Sequence, residues 1–510
     1  MTRTDTPPPH RHILRGGRMT KWKGRAASMS PSLSSLGSSV SVIALGRATA
    51  AASLAGVAVL ISAGTAAANC VETAPGSGVF VCSGAAIGGQ TLNATGKVLD
   101  VDLGNGTTVS GVAGADGFDL RGDSGIDFEQ AEGGRSISGS YGIDARNESA
   151  IASGATEGAL TITTTGAVTG DVTHGISANN YGTDLTIVAE GDVSGSISGI
   201  LADNYGTGAL SITTLGKVTG LGLDGIKAEN AGTALTIYAK GDVSGDRAGI
   251  QARNQGSGAL IITTLGTVTG DSTLGIDAGN SSYGTDLTID ARDDVSGQVR
   301  GVFAYNQGTG ALSITTLGTV TGKSSEGIFA RNDGTRLTIA AEGDVSGNSR
   351  GISAYNDGEG ALSITTLGTV IALNAQGIFA SNAGTDLTID ARDDVSGRAQ
   401  GIYASNNGTG ALSITTLGTV SGDGAHGILA NNFNTGTDLT IDAKGDVSGL
   451  GPGISAYNLG EGALSITTLG TVTGDNGQGI RASNSNAGTE LTIDAKDDVS
   501  GRGPGISAEN

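Results

Sequence analysis

The sequence predicts an all-β chain wound as a right-handed parallel β-helix, a three-sided solenoid of about 24–26 residues per coil. Three observations predict it. A unit ending in Gly-Ile-x-Ala-x-Asn, or a near variant, returns at intervals of 24 or 26 residues. Within each unit, three short stretches alternate apolar and polar residues at period two, which is the period of a strand. The composition, with 89 Gly and 3% aromatic residues in 510, leaves Ile, Leu, Val, Ala and Thr to fill any large core. Stacked β-branched residues do that on a pleated surface.

Two unit types alternate, exemplified by residues 206–230 and 231–254. In the first, Leu210 and Ile212 share one face of a stretch and Ser211 and Thr213 the other. Val218 is flanked by Lys217 and Thr219 in the second stretch. In the third, Ile226, Ala228 and Asn230 fall on one face. Gly216, Gly220 and Gly225 mark the joins, where either a positive φ or a close backbone approach is expected. Helical repeats fit poorly, because a Gly every few residues costs a helix roughly 1 kcal/mol each.

Like positions on neighbouring coils of such a helix lie about 4.8 Å apart. The closing Asn recurs as Asn180, Asn204, Asn230, Asn254, Asn280, Asn306, Asn332, Asn356, Asn382, Asn406, Asn432, Asn458, Asn484 and Asn510, with Asn147 an earlier member. An amide both donates and accepts, so stacked Asn side chains can satisfy one another and the turn backbone. The column reads as a structural ladder. Asp242, Asp294, Asp344, Asp394, Asp446 and Asp498 form a second column, present only in alternate units. That alternation separates like charges by two coils, roughly 9.6 Å and close to a Debye length.

Residues 1–68 read as a leader: a basic stretch from Arg11 to Arg25, a Ser-rich segment and an apolar run from Leu54 to Ile61. The run is short of the roughly 20 apolar residues of a membrane span. Cleavage is expected between Ala68 and Asn69, with translation starting at Met1, Met19 or Met29. Trp22 and all three Met lie in this leader. Cys70 and Cys82 are expected to form a disulfide, the default in an exported chain. Residues 69–130 then read as an N-terminal cap with irregular β structure, and 131–510 as the repeats. Beyond the leader the chain carries 21 basic and 48 acidic residues, a balance that disfavours nucleic acid and anionic lipid as partners.

No constellation for catalysis stands out, and no cofactor is expected. His174 and His426 share one variable turn position ten coils apart, too far to act together. Gly347 to Gly351 matches Gly-x-Ser-x-Gly without the strand-to-helix turn that a nucleophile elbow needs. Paired acids such as Asp293-Asp294 offer oxygen ligands for calcium, yet the chain lacks Gly-Gly-x-Gly-x-Asp repeats. Arg121-Gly122-Asp123 spells a receptor-binding tripeptide if displayed on an exposed loop; its composition makes chance occurrence easy.

The basic leader, the small residues at the cleavage site, the Cys70/Cys82 pair and the repeated Leu-Thr-Ile-x-Ala-x-Gly-Asp-Val-Ser-Gly units resemble bacterial autotransporter proteins over nearly the whole chain. The resemblance implies a β-helical passenger, an outer-membrane translocator as partner and display at the cell surface or release from it. It departs at the end, since the sequence stops on a repeat unit at Asn510 without the family's barrel; a fragment is the expectation. Passengers of this kind are often adhesins, which makes a receptor or glycan on a host or neighbouring cell the expected partner. A carbohydrate-active β-helix enzyme and a matrix component self-associating through its open C-terminal coil are the alternatives.

Overall fold

A computed structural model describes residues 69–510 except 85–87, 113, 149–156, 434 and 485–488. The leader, with Ala68 of the expected cleavage site, lies outside the described residues, as does most of the irregular connection after Glu148. Asn69 opens the first strand, Asn69–Glu72. The described residues are all-β without a helix. They form three sheets, of 18, 16 and 17 strands, running along a solenoid of about 17 turns.

From Leu99 onward each coil contributes one strand per sheet. In the coil quoted above these are Leu210–Thr214, Val218–Gly220 and Ile226–Asn230. Each pairs in parallel with its counterpart one coil on: Leu210 with Leu235, Val218 with Val243, Asn230 with Asn254. The inward Leu, Ile, Val and Ala residues are essentially inaccessible from Leu99 to Ala482. The core is therefore a bundle of columns in which like stacks on like. Near the N-terminus two rings enlarge it: Phe118 and Phe128 meet edge to face at 4.9 Å.

Parallel register begins well before residue 131. Val79–Ser83 pairs with Leu99–Leu103, and Gln90–Ala94 with Phe118–Gly122. The segment read as an irregular cap thus supplies strands to all three sheets. These coils are hard to see in sequence because the ladder position holds Gly122 where Asn147 stands one coil later, and Ala94 one coil earlier. The first strand, Asn69–Glu72, pairs antiparallel with Val79–Ser83 and so covers the edge of the first sheet. Cys70 and Cys82 face each other in that pair and are joined by a disulfide.

The glycines at the joins are explained by close approach, since Gly216, Gly220 and Gly225 all have ordinary backbone angles. A Cβ on Gly225 would sit 2.7 Å from the Gly249 carbonyl oxygen and from Val243 Cγ1, both on the next coil. The corner closes only if this residue has no side chain.

One feature of the core is chemically mismatched. The last inward position of the first strand alternates between Ala and Thr on successive coils. Thr164, Thr214, Thr264, Thr316, Thr366, Thr416 and Thr468 are buried there with hydroxyls that have no protein partner. An unpaired buried hydroxyl costs about 1–3 kcal/mol. Thr316→Val, which keeps the shape and removes the hydroxyl, is expected to raise stability by about 1 kcal/mol. Urea unfolding measures this, and a variant less stable than the parent would show that the hydroxyl has a partner, such as a water.

Candidate functional site: an aromatic and arginine face on the third sheet

The third sheet carries the asparagine ladder inward and the most varied side chains outward. Inward, each Asn Nδ2 donates to the Oδ1 of the Asn one coil on, from Asn147 to Asn180 at 2.7 Å through to Asn484 and Asn510 at 3.0 Å. The same amides also donate to turn carbonyls, as Asn180 does to Thr183 O. At several coils Oδ1 accepts a backbone N–H two residues ahead, as from Gly182. The ladder thus closes the corner between the third and first sheets.

Outward, the third strand presents its second and fourth residues. In the stretch from 303 to 403 these include Phe303, Phe329, Tyr355, Phe379 and Tyr403, one from each of five successive coils. Successive rings lie 5.1–5.7 Å apart, centroid to centroid. Phe303 and Phe329, like Phe379 and Tyr403, come from one column and stack nearly flat, at 14° and 6°. Tyr355 belongs to the neighbouring column; it bridges the break because Ser353, the residue in line with Phe329 and Phe379, is small and fully buried.

Arginines lie on these rings. The Arg300 guanidinium is 5.2–5.3 Å from Phe329 and Phe303, and that of Arg350 is 4.6 Å from Phe379. A planar cation over a ring face is attracted by the ring quadrupole, for about 0.5–2 kcal/mol depending on desolvation. Arg300 Nε also donates to Glu326 at 2.6 Å. Burial works to raise the Glu326 carboxyl; hydrogen bonds from Ser325 and Arg300 outweigh it and hold that carboxyl below its ordinary value. Arg247 and Asp224 form a comparable pair two coils before Arg300, with the Asp224 side chain inaccessible.

The neighbouring column of the sheet face is interrupted too. In the column of fourth residues, Arg253, Gly279, Tyr305 and Arg331 stand in line on successive coils. Gly279 has no side chain, and a depression of about 270 Å³ lies over it, bounded by residues that include Arg253, Phe303 and Tyr305. The strand that holds Gly279, Leu274–Asn280, and the one that follows it in the sheet, Arg300–Asn306, are the longest of the third sheet, at seven residues each.

The residues singled out in the sequence have other duties. Asp242, Asp294, Asp344, Asp394 and Asp446 each accept the backbone N–H of the residue one coil on, for example Thr319 N to Asp294 at 2.8 Å. Asp184, Asp286, Asp386 and Asp438 do the same at another corner. Asp293, Asp393 and Asp497 accept from the backbone N–H of the next residue. The acidic columns are therefore corner braces, and among the described residues no three acidic, His or Cys side chains cluster to hold a metal ion.

Arg121 and Gly122 lie in a strand and not on an exposed loop. The Arg121 guanidinium is bound by Asp119 and Asp144, and Asp123 accepts from Gly96 N and Ser124 Oγ. The tripeptide is turned toward internal partners. His174 and His426 are half-buried, and burial pushes both imidazoles below their ordinary value; His426 Nδ1 lies 3.2 Å from Ser455 Oγ.

The aromatic and arginine face escaped the sequence reading because that reading followed recurring residues. The signal that would have found it is a clustering: in a chain with 16 Phe and Tyr, five fall at outward positions of consecutive coils. Fold and site define the class: a three-sided parallel β-solenoid with a decorated outer face on one sheet. In comparison with known proteins, no protein family, no curated protein and no solved structure gives a significant match to this chain.

Proposed function

We propose that this chain is an exported scaffold of the autotransporter-passenger kind, acting at the cell surface or after release from it, which binds another surface and does not perform catalysis. The observation that carries this reading is the aromatic and arginine face. A solenoid needs no outward rings for its stability, since its inward columns already bury the apolar side chains. These outward rings and arginines are half-buried against one another and present their remaining surface to solvent, and aromatics and arginines are what recognition surfaces are enriched in. Five coils of them form a rigid strip whose geometry is fixed by backbone register, so little ordering is lost on contact. The partner in this reading is a receptor or glycan on a host or neighbouring cell, reached after passage through an outer-membrane translocator.

Display of the chain on a Gram-negative host tests the proposal. The mature protein is expected to begin at Asn69 and to confer adhesion to cells. The double variant Phe329→Ser, Phe379→Ser is expected to reduce that adhesion at least tenfold while leaving display unchanged. Retention of the chain in the cytoplasm, or adhesion equal in parent and variant, would overturn it.

A further inference from the structure

The slot over Gly279 has a more specific chemistry than the strip around it. Its main wall is Tyr305, and that ring is held. The Tyr305 hydroxyl donates to Asp333 Oδ2 at 2.8 Å and accepts from Gln307 Nε2 at 2.9 Å. Arg331, one coil on, places its guanidinium 5.5 Å from the ring centroid. Arg331 is itself held by Asp333 and Asp357, at 3.2 and 2.9 Å. One side of the ring column is thus occupied and its orientation fixed. The opposite neighbour in the column is Gly279, which has nothing to lay against the ring.

The next wall is Arg253, one coil before Gly279. Its side chain leans toward the gap, 3.1–3.4 Å from where a Gly279 Cβ would lie, and fills part of it. Its charge is already matched by Asp277, which accepts from Nη2 at 2.5 Å. The rim is a column of amide and hydroxyl groups, Gln255, Ser281 and Gln307, each following a ladder Asn on successive coils. Here the repeat is also interrupted by two additional residues, Ser281 and Ser282.

An oriented aromatic ring open on one side, a charge-matched arginine and a rim of neutral donors and acceptors select a particular ligand. A pyranose ring presents weakly positive C–H bonds on its face and hydroxyls around its edge. The C–H face suits the negative face of an aromatic ring, and the hydroxyls suit amides. Because Arg253 is neutralised by Asp277 and the mature chain is strongly acidic, a neutral sugar fits better than an anionic one. The geometry points to the Gly279 slot as a binding site for one neutral pyranose unit of a surface glycan. This rests on the adhesive reading above and names the chemistry of its partner.

The test uses the full chain on an array of neutral oligosaccharides built from glucose, galactose, mannose and N-acetylglucosamine, with sialylated and uronic-acid glycans beside them. The parent is expected to bind at least one neutral glycan. Gly279→Tyr fills the slot with a residue that the same column already carries at Tyr305 and Tyr355, so it is expected to fold, to give an unchanged circular dichroism spectrum and to bind at least tenfold more weakly. Tyr305→Ala is expected to lose binding similarly, while Tyr457→Ala, on the same sheet but remote from the slot, is expected to bind as the parent does. Parent binding to no neutral glycan, binding confined to anionic glycans, or equal binding by Gly279→Tyr would overturn the assignment. Cell adhesion by both the parent and Gly279→Tyr would sink the slot while leaving the adhesive reading in place. Neutral-glycan binding by a parent that adheres to no cell would do the reverse.

Discussion

Asn306→Leu is expected to destabilise the coils around it by about 4 kcal/mol, because several buried polar groups lose partners at once and each costs about 1–3 kcal/mol. Asn306 is fully buried and fully used. Its Nδ2 donates to Asn332 Oδ1 at 2.9 Å and Gly310 O at 3.2 Å. Its Oδ1 accepts from Asn280 Nδ2 at 3.0 Å and Gly308 N at 3.2 Å. Leucine serves none of these four, and its apolar gain offsets only part of the loss. Asn306→Asp is a sharper test of the same ladder. It keeps the acceptor but turns the donor into an oxygen facing two other oxygens. That carboxyl is expected to titrate above its unfolded value of about 3.9. The folded state then binds the proton more tightly than the unfolded state, so the charge-linked part of the penalty is absent at low pH and grows as pH rises above that value. Urea unfolding at pH 4 and pH 7 measures both variants. Equal destabilisation of Asn306→Asp at the two pH values would mean that the ladder amide is not the donor described here.

Gly327→Ala is expected to cost about 3 kcal/mol, at the upper end of what overpacking a tight core usually costs. The added Cβ would lie 2.7 Å from Val345 Cγ1 and 2.8 Å from the carbonyl oxygens of Gly351 and Ser346. Two of those atoms are backbone of the next coil, locked by register. The corner before each third strand from Gly142 to Gly505 holds Gly in every coil. The corner after the second strand is more forgiving, since Ala372 replaces its usual Gly once. Hydrogen exchange separates the two effects expected in a solenoid. Protection should fall in the coils flanking residue 327 and stay near the parent value several coils away, because each coil contacts only its neighbours. Uniform loss of protection along the chain would contradict that picture.

Legibility in the sequence followed packing constraint. Inward positions repeat because each must fit the residue above and below it, so the period, the strand faces and the Asn column could be read directly from Leu210, Val218, Ile226 and Asn230 onward. The coils before Asn147 were less visible because Gly122 and Ala94 lack the amide that marks the corner. The Asp columns were visible as a pattern but not as a function: alternation suggested charge spacing, and the structure adds that Asp294 and its equivalents brace a backbone N–H of the following coil.

The sequence by itself determined the fold class and the identity of the residues that stack, since a period of 24 or 26 residues with strand alternation admits few other arrangements. It also placed Cys70 and Cys82 close enough to pair. Only the tertiary structure decided what the outer face does. Outward side chains escape the packing constraint, so they vary, and their meaning arises from neighbours one coil away. Tyr305 gains an occupied side from Arg331 and an open one from Gly279, a juxtaposition created by register between residues 26 positions apart and carried by no single stretch of chain.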